Sequence, residues 1–190
     1  MSFLLSFCRL IDNINLRIGD WVKWALLIAV LICSGNALFR YAFNLSSNAW
    51  LEIQWYLFGL VYLLAAGYTL RVNEHVRIDV LSSKLSARTR AWIDILGYIF
   101  FFFPFTLLTL YYAIPYAWLA IQSQEMSSNA GGLILWPAII LIPLGFLLLS
   151  LQGLSEMIKR IGFLMGQVDV SEFEKTAAPM QMAETPSKPE

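Results

Sequence analysis

Apolar residues gather in four long runs, roughly Trp21–Phe43, Trp50–Leu70, Trp92–Ile121 and Leu133–Met157, separated by short polar segments. Each run supplies the ~20 predominantly apolar residues that a helix needs to cross ~30 Å of hydrocarbon. The pattern predicts an all-α integral membrane protein with four transmembrane helices. Two further helices are expected beside them. Before the first run, Leu4, Phe7, Cys8, Ile11, Ile14 and Ile18 recur at helical spacing, with Ser6, Arg9, Asn13, Arg17 and Asp20 on the other side. This N-terminal amphipathic helix, residues 1–20, should lie in the cytoplasmic interface or along another membrane subunit, and the interfacial placement is preferred. Arg9 and Asp12 interrupt its apolar start and no small-residue cleavage site follows, so it does not read as a signal peptide. Between runs two and three, Asp79 can cap a short cytoplasmic interfacial helix whose Val80, Leu81 and Leu85 face the membrane. Ser86 can then cap a helix starting at Ala87. From Ala87 to Ile121 that helix would span ~50 Å, so it should tilt, kink near Pro104 or Pro115, or project from the bilayer. Pro137 suits the first turn of the fourth span, and the interior Pro143 should kink it.

Charge sets the orientation of these spans. Arg9 and Arg17 precede run one, with Lys23 at its edge. Arg71, Arg77, Lys84, Arg88 and Arg90 separate runs two and three, and Lys159 and Arg160 follow run four. Four crossings put all of these on one side. Basic segments are retained in the cytoplasm, so both termini are expected to be cytoplasmic. The chain is 58% hydrophobic and 14% charged with no net charge, and its mean hydropathy is +0.64. Soluble domains carry roughly 25% charged residues, and the basic residues are accounted for by topology, which argues against a nucleic-acid partner. The expected organisation is residues 1–20 as the interfacial helix, 21–161 as one transmembrane domain, and 162–190 as a cytoplasmic tail. Three prolines and five acids from Gly166 to Glu190 mark that tail as disordered. Cys8 and Cys33 do not suggest a disulfide.

The first hairpin concentrates polar residues. Arg40 and Glu52 are equidistant from Ser46 at the centre of the turn, each ~9 Å below it. Opposite charges at equal depth on antiparallel helices can pair, with Asn36 and Gln54 in support. The preferred reading is a structural clamp. The alternative is a small autonomous four-helix exporter in which Glu52 exchanges protons; it is disfavoured because Glu52 sits near an interface beside a cation. His75, the only histidine, stands in a charged loop with Arg77 and Asp79 and reads as a structural hydrogen-bonder. One histidine and two separated cysteines provide neither a bis-histidine haem nor a redox pair, so no cofactor, metal or catalytic residue is expected. The polar connection from Gln122 to Gly132, flanked by the interface anchors Trp118 and Trp136, is either a solvated loop or a docking surface.

Asn36-x-x-x-Arg40-Tyr41, Trp50-x-Glu52, Gly67-x-x-x-Arg71 and His75-Val76-Arg77-Ile78-Asp79 resemble the small membrane subunit of tripartite ATP-independent periplasmic (TRAP) transporters. Gln124-Glu125-Met126-Ser127, Trp136-Pro137, Ile142-Pro143-Leu144-Gly145-Phe146 and Leu151-Gln152 continue the resemblance in order, over about residues 15–160. The resemblance implies a bacterial inner-membrane, sodium-coupled secondary transporter for organic acids, served by a periplasmic substrate-binding protein. In that family a large elevator-type subunit carries the substrate and the small subunit extends its scaffold. The expected partners are therefore the large membrane subunit, the binding protein and membrane lipids. The large subunit is expected against Trp21, Trp24, Gly59, Gly67, Leu81, Leu85 and Pro143. Ser46, Asn48, Glu125 and Asn129 are left as periplasmic docking candidates.

Overall fold

The computed structural model describes residues 2–44, 47–72 and 85–168. Its helices are α1 (Ser2–Phe43), α2 (Asn48–Val72), α3 (Ala87–Gly97), α4 (Phe103–Ser123), α5 (Trp136–Ile139) and α6 (Leu141–Leu164). A π-helical turn, Tyr98–Phe102, joins α3 to α4. Grouped this way they make the four expected spans, each long and apolar enough to cross a membrane.

The first span departs from expectation. Residues 2–20 are continuous with the first span, and α1 runs unbroken for 42 residues. At 1.5 Å per residue that is ~63 Å, about twice the hydrocarbon core. Its inward stripe also differs from the one read off the sequence: Cys8, Ile11, Asp12, Asn15 and Val22 are buried, whereas Leu4 and Ile14 are exposed. Polar side chains on α6 draw Asp12 and Asn15 inward and rotate the helix toward them.

Prolines set the irregularities of the last two spans. Pro104 has no N–H for the carbonyl four residues back, and its ring crowds that turn. The chain widens just before it, and the Phe103 N–H reaches back to the Tyr98 carbonyl. Pro143 acts likewise on Ile139, so the fourth span breaks at Ile140 into α5 and α6. Ser86 caps α3 as expected, its Oγ accepting from the Thr89 N–H at 3.2 Å. Helix α6 passes the expected boundary at 161 and ends where Gly166 takes φ 72°, its N–H donating to the Phe163 carbonyl at 2.9 Å.

The spans alternate in direction, and α6 is their hub. It packs on α1, α2, α3 and α4, while α2 also packs along α1. Close approach comes from small residues, as membrane packing requires. A Cβ on Gly145 would lie 2.8 Å from the Leu63 carbonyl oxygen, so α2 and α6 meet nearly backbone to backbone there. Buried Ala113, Ala117 and Ala120 line one side of α4, while Phe105, Leu108 and Tyr112 on it are exposed.

Candidate functional site

Two polar assemblies sit at opposite ends of the bundle. The end that holds the basic segments carries the larger. Asp12 of α1 accepts from Lys159 Nζ at 2.6 Å, Gln152 Nε2 at 2.9 Å and Ser155 Oγ at 3.1 Å. Arg71 Nε of α2 lies 3.7 Å from the same carboxylate. Asn15 Nδ2 donates to Gln152 Oε1 at 2.8 Å, and both residues are fully buried. Arg160, only 2% exposed, donates to Asp94 at 2.8 Å and to Glu156 at 2.7 Å, with its guanidinium 5.3 Å from the Tyr98 ring centre. Lys159 also donates to Glu156 at 2.9 Å. Three cations and three carboxylates thus neutralise one another across four helices. Burial of ions is tolerated when each is paired and hydrogen-bonded in this way.

The hairpin end is organised by Glu52. Its Oε1 accepts from Ser127 Oγ in a short hydrogen bond and from Asn129 Nδ2 at 2.8 Å. Its Oε2 accepts from the Leu133 N–H at 2.6 Å. The connection between the last two spans folds back on itself to reach this carboxylate. Met126 and Ile134 form an antiparallel bridge, and Ser127 N donates to the Leu133 carbonyl at 2.8 Å. Gln124 at φ 49° ends α4 and starts the reversal, and Gly131 at φ 71° completes it. Asn48 Nδ2 donates to the Ala130 carbonyl at 2.9 Å and Tyr56 Oη to the Ile134 carbonyl at 2.9 Å, fastening the loop along α2.

The expected clamp between Arg40 and Glu52 does not form. Among the described residues no acid lies within ion-pair distance of Arg40. Equal depth on the hairpin was insufficient, because the folded-back loop brings three donors to Glu52 first. Arg40 instead lines a notch with Asn36, Cys33 and Gln54. Gly67 is buried against Asn15, inside the α1–α2 contact. Gly59 has open space where a side chain would be, Trp21 and Trp24 are exposed, and Leu85 is partly so. Pro143 is half-buried in the first turn of α6. Asn48 and Asn129 hold the loop in place, and Glu125 is exposed on it. Ser46, His75, Arg77, Asp79, Leu81, the helix capped by Asp79 and the tail from 169 lie outside the described residues.

Sequence reasoning missed the whole basic-end cluster. The signal was present: Gln152, Glu156, Lys159 and Arg160 recur at helical spacing, as do Asp12 and Asn15. Among the described residues no three of His, Cys, Asp and Glu gather as a metal would require. What the two assemblies do is fix helices and a loop in place.

A profile of the family described as "Tripartite ATP-independent periplasmic transporters, DctQ component" matches residues 24–162. The matched stretch begins within α1, so Asp12 and Asn15 stand before it. No curated protein and no solved structure matches the chain.

Proposed function

This chain belongs to the DctQ component family of the tripartite ATP-independent periplasmic transporters, and from that premise we propose that it is the fixed scaffold partner of a sodium-coupled organic-acid carrier. It is a multi-pass membrane protein and a small subunit of such a transporter. In this reading the large membrane subunit moves the substrate, and a soluble binding protein delivers it. The basic end faces the cytoplasm of a bacterial inner membrane, and the loop fastened to Glu52 faces the periplasm.

One observation carries the scaffold role. In each span only 17–28% of the most apolar window is buried within the chain itself. A bundle so thinly packed leaves broad faces for a second membrane protein. The arrangement of charge supports the same reading. A carrier needs ionisable groups near the midplane that exchange ligands. Here the acids Asp12, Asp94 and Glu156 are paired at one end, and Glu52 is engaged by three donors at the other. That engagement counts against the autonomous exporter, in which Glu52 would have to load and release protons.

Reconstitution tests the role directly. The chain alone, in proteoliposomes with an inward sodium gradient and a panel of organic acids, is expected to accumulate none of them. Adding the large subunit and the binding protein should produce uptake. Gradient-driven accumulation by the chain alone would refute the scaffold role.

A further inference from the structure

The notch beside Arg40 is built to receive something the chain does not supply. It is an open groove of about 620 Å³ between α1 and α2, lined by Cys33, Asn36, Ala37, Arg40, Leu51 and Gln54 among others. Its polar groups are rich in donors. Arg40 presents five N–H groups and no acceptor, and no described acid pairs with it. Gln54 is only 7% exposed, and its Nε2 has no hydrogen-bond partner among the described residues. A buried donor left unmatched is costly, and the cost falls when an acceptor arrives. Of the described acids at this end of the bundle, Glu52 is held by the loop and Glu125 is exposed on that loop, while Asp12, Asp94 and Glu156 are paired at the opposite end.

We propose that this notch seats an acidic side chain of the large membrane subunit, with Arg40 as its counter-ion and Asn36 and Gln54 as hydrogen-bond donors. The proposal rests on the scaffold role and names the contact through which that role is exercised. Depth favours a protein carboxylate over a lipid phosphate. Asn36 and Gln54 lie about two turns inside the ends of α1 and α2, ~9–11 Å from those ends, while Arg40 stands above them in the last turn of α1. A headgroup phosphate belongs at the interface, whereas a side chain on a neighbouring helix reaches this level. The rim suits a helix too, because Tyr41, which lines the notch, is exposed.

Cys33 supplies a native reporter. It lines the notch and is exposed, whereas Cys8, the other thiol, is buried. Alkylation by a membrane-permeant maleimide is measured on the chain purified alone and on its complex with the large subunit. Complex formation should slow Cys33 alkylation about tenfold, and Arg40→Glu should reduce the co-purified large subunit by a similar factor. Arg40→Lys should retain most of the complex, and circular dichroism of each variant chain should match the native one. A complex that forms with Cys33 still fully reactive, or undiminished by Arg40→Glu, overturns the proposal and leaves the scaffold role standing. Protection of Cys33 in the chain alone by anionic phospholipid vesicles also overturns it, because the notch then belongs to a headgroup. If the native chain captures no large subunit at all, the scaffold role fails, and this contact fails with it.

Discussion

Glu52 takes its partners from the segment the fold brings to it, although Arg40 stands at the same depth on the adjoining helix. Loop donors approach along three directions, and together they satisfy both carboxylate oxygens. Glu52→Ala is therefore expected to release the loop, which hydrogen exchange can follow at the Leu133 and Ser127 amides. Leu133 loses its acceptor directly, and its exchange should rise about tenfold or more. Arg40→Gln should leave both amides as they are. Equal acceleration by the two substitutions would mean that the hairpin pair, and not the loop, is what Glu52 holds. None of this was legible from spacing within the hairpin. Ser127, Asn129 and Leu133 lie more than seventy residues away in sequence, and only the fold-back of the loop shortens that distance.

Helix packing in this bundle depends on where side chains are missing. Gly145 lets α6 meet α2 at Leu63, and Gly153 admits the Phe102 ring from the π-helical turn. Pro104 contributes to the second contact by widening the turn that carries Phe102. Gly59, on α2 as well, has nothing within 4 Å of an added Cβ. The two glycines should thus respond oppositely. Gly145→Val is expected to force α2 and α6 apart at a cost of ~1–3 kcal/mol, seen as a lower melting temperature in detergent. Gly59→Ala should melt with the native chain or slightly above it, since alanine is the better helix former by ~1 kcal/mol at most. Matching losses at both positions would refute the packing described for α2. The sequence displayed both glycines equally and assigned Gly59 and Gly67 to the same outer face. Their separation into an open site and a buried one follows from the rotation of α1 toward α6, which places Asn15 against Gly67.

Taken whole, the molecule is an open bundle with polar fastenings at its two ends and bare apolar flanks between them. The flanks are rich in large side chains, with Trp21 78%, Trp55 77% and Tyr62 80% exposed. In lipid such faces are stable, but they also offer the close-packed contacts through which membrane helices associate. A cysteine introduced at Gly59, beside Trp55 and Tyr62, is expected to crosslink to the large subunit. A cysteine at Asn129, on the loop, should trap the soluble binding protein or nothing. Efficient crosslinking of position 129 to the large subunit, with position 59 silent, would reverse the assignment of faces.

The sequence by itself determined the four spans, because uninterrupted apolar length leaves a helix in lipid no alternative that satisfies its backbone. It also determined the helix irregularities ahead of Pro104 and Pro143 and the Ser86 cap, all of which act within a turn or two of the chain. It carried the family in an ordered set of short motifs over about residues 15–160, and the family profile matches residues 24–162. Tertiary structure alone decided the partners of the charges. Asp12 meets Lys159, Asp94 meets Arg160, and Glu52 meets Leu133 across separations that no local period encodes. An apolar run is recognised by its own composition, whereas a buried charge is settled by whichever donors and acceptors the packed helices bring within ~3 Å. That is why Arg40, paired on paper with Glu52, stands in the folded chain beside a notch of donors.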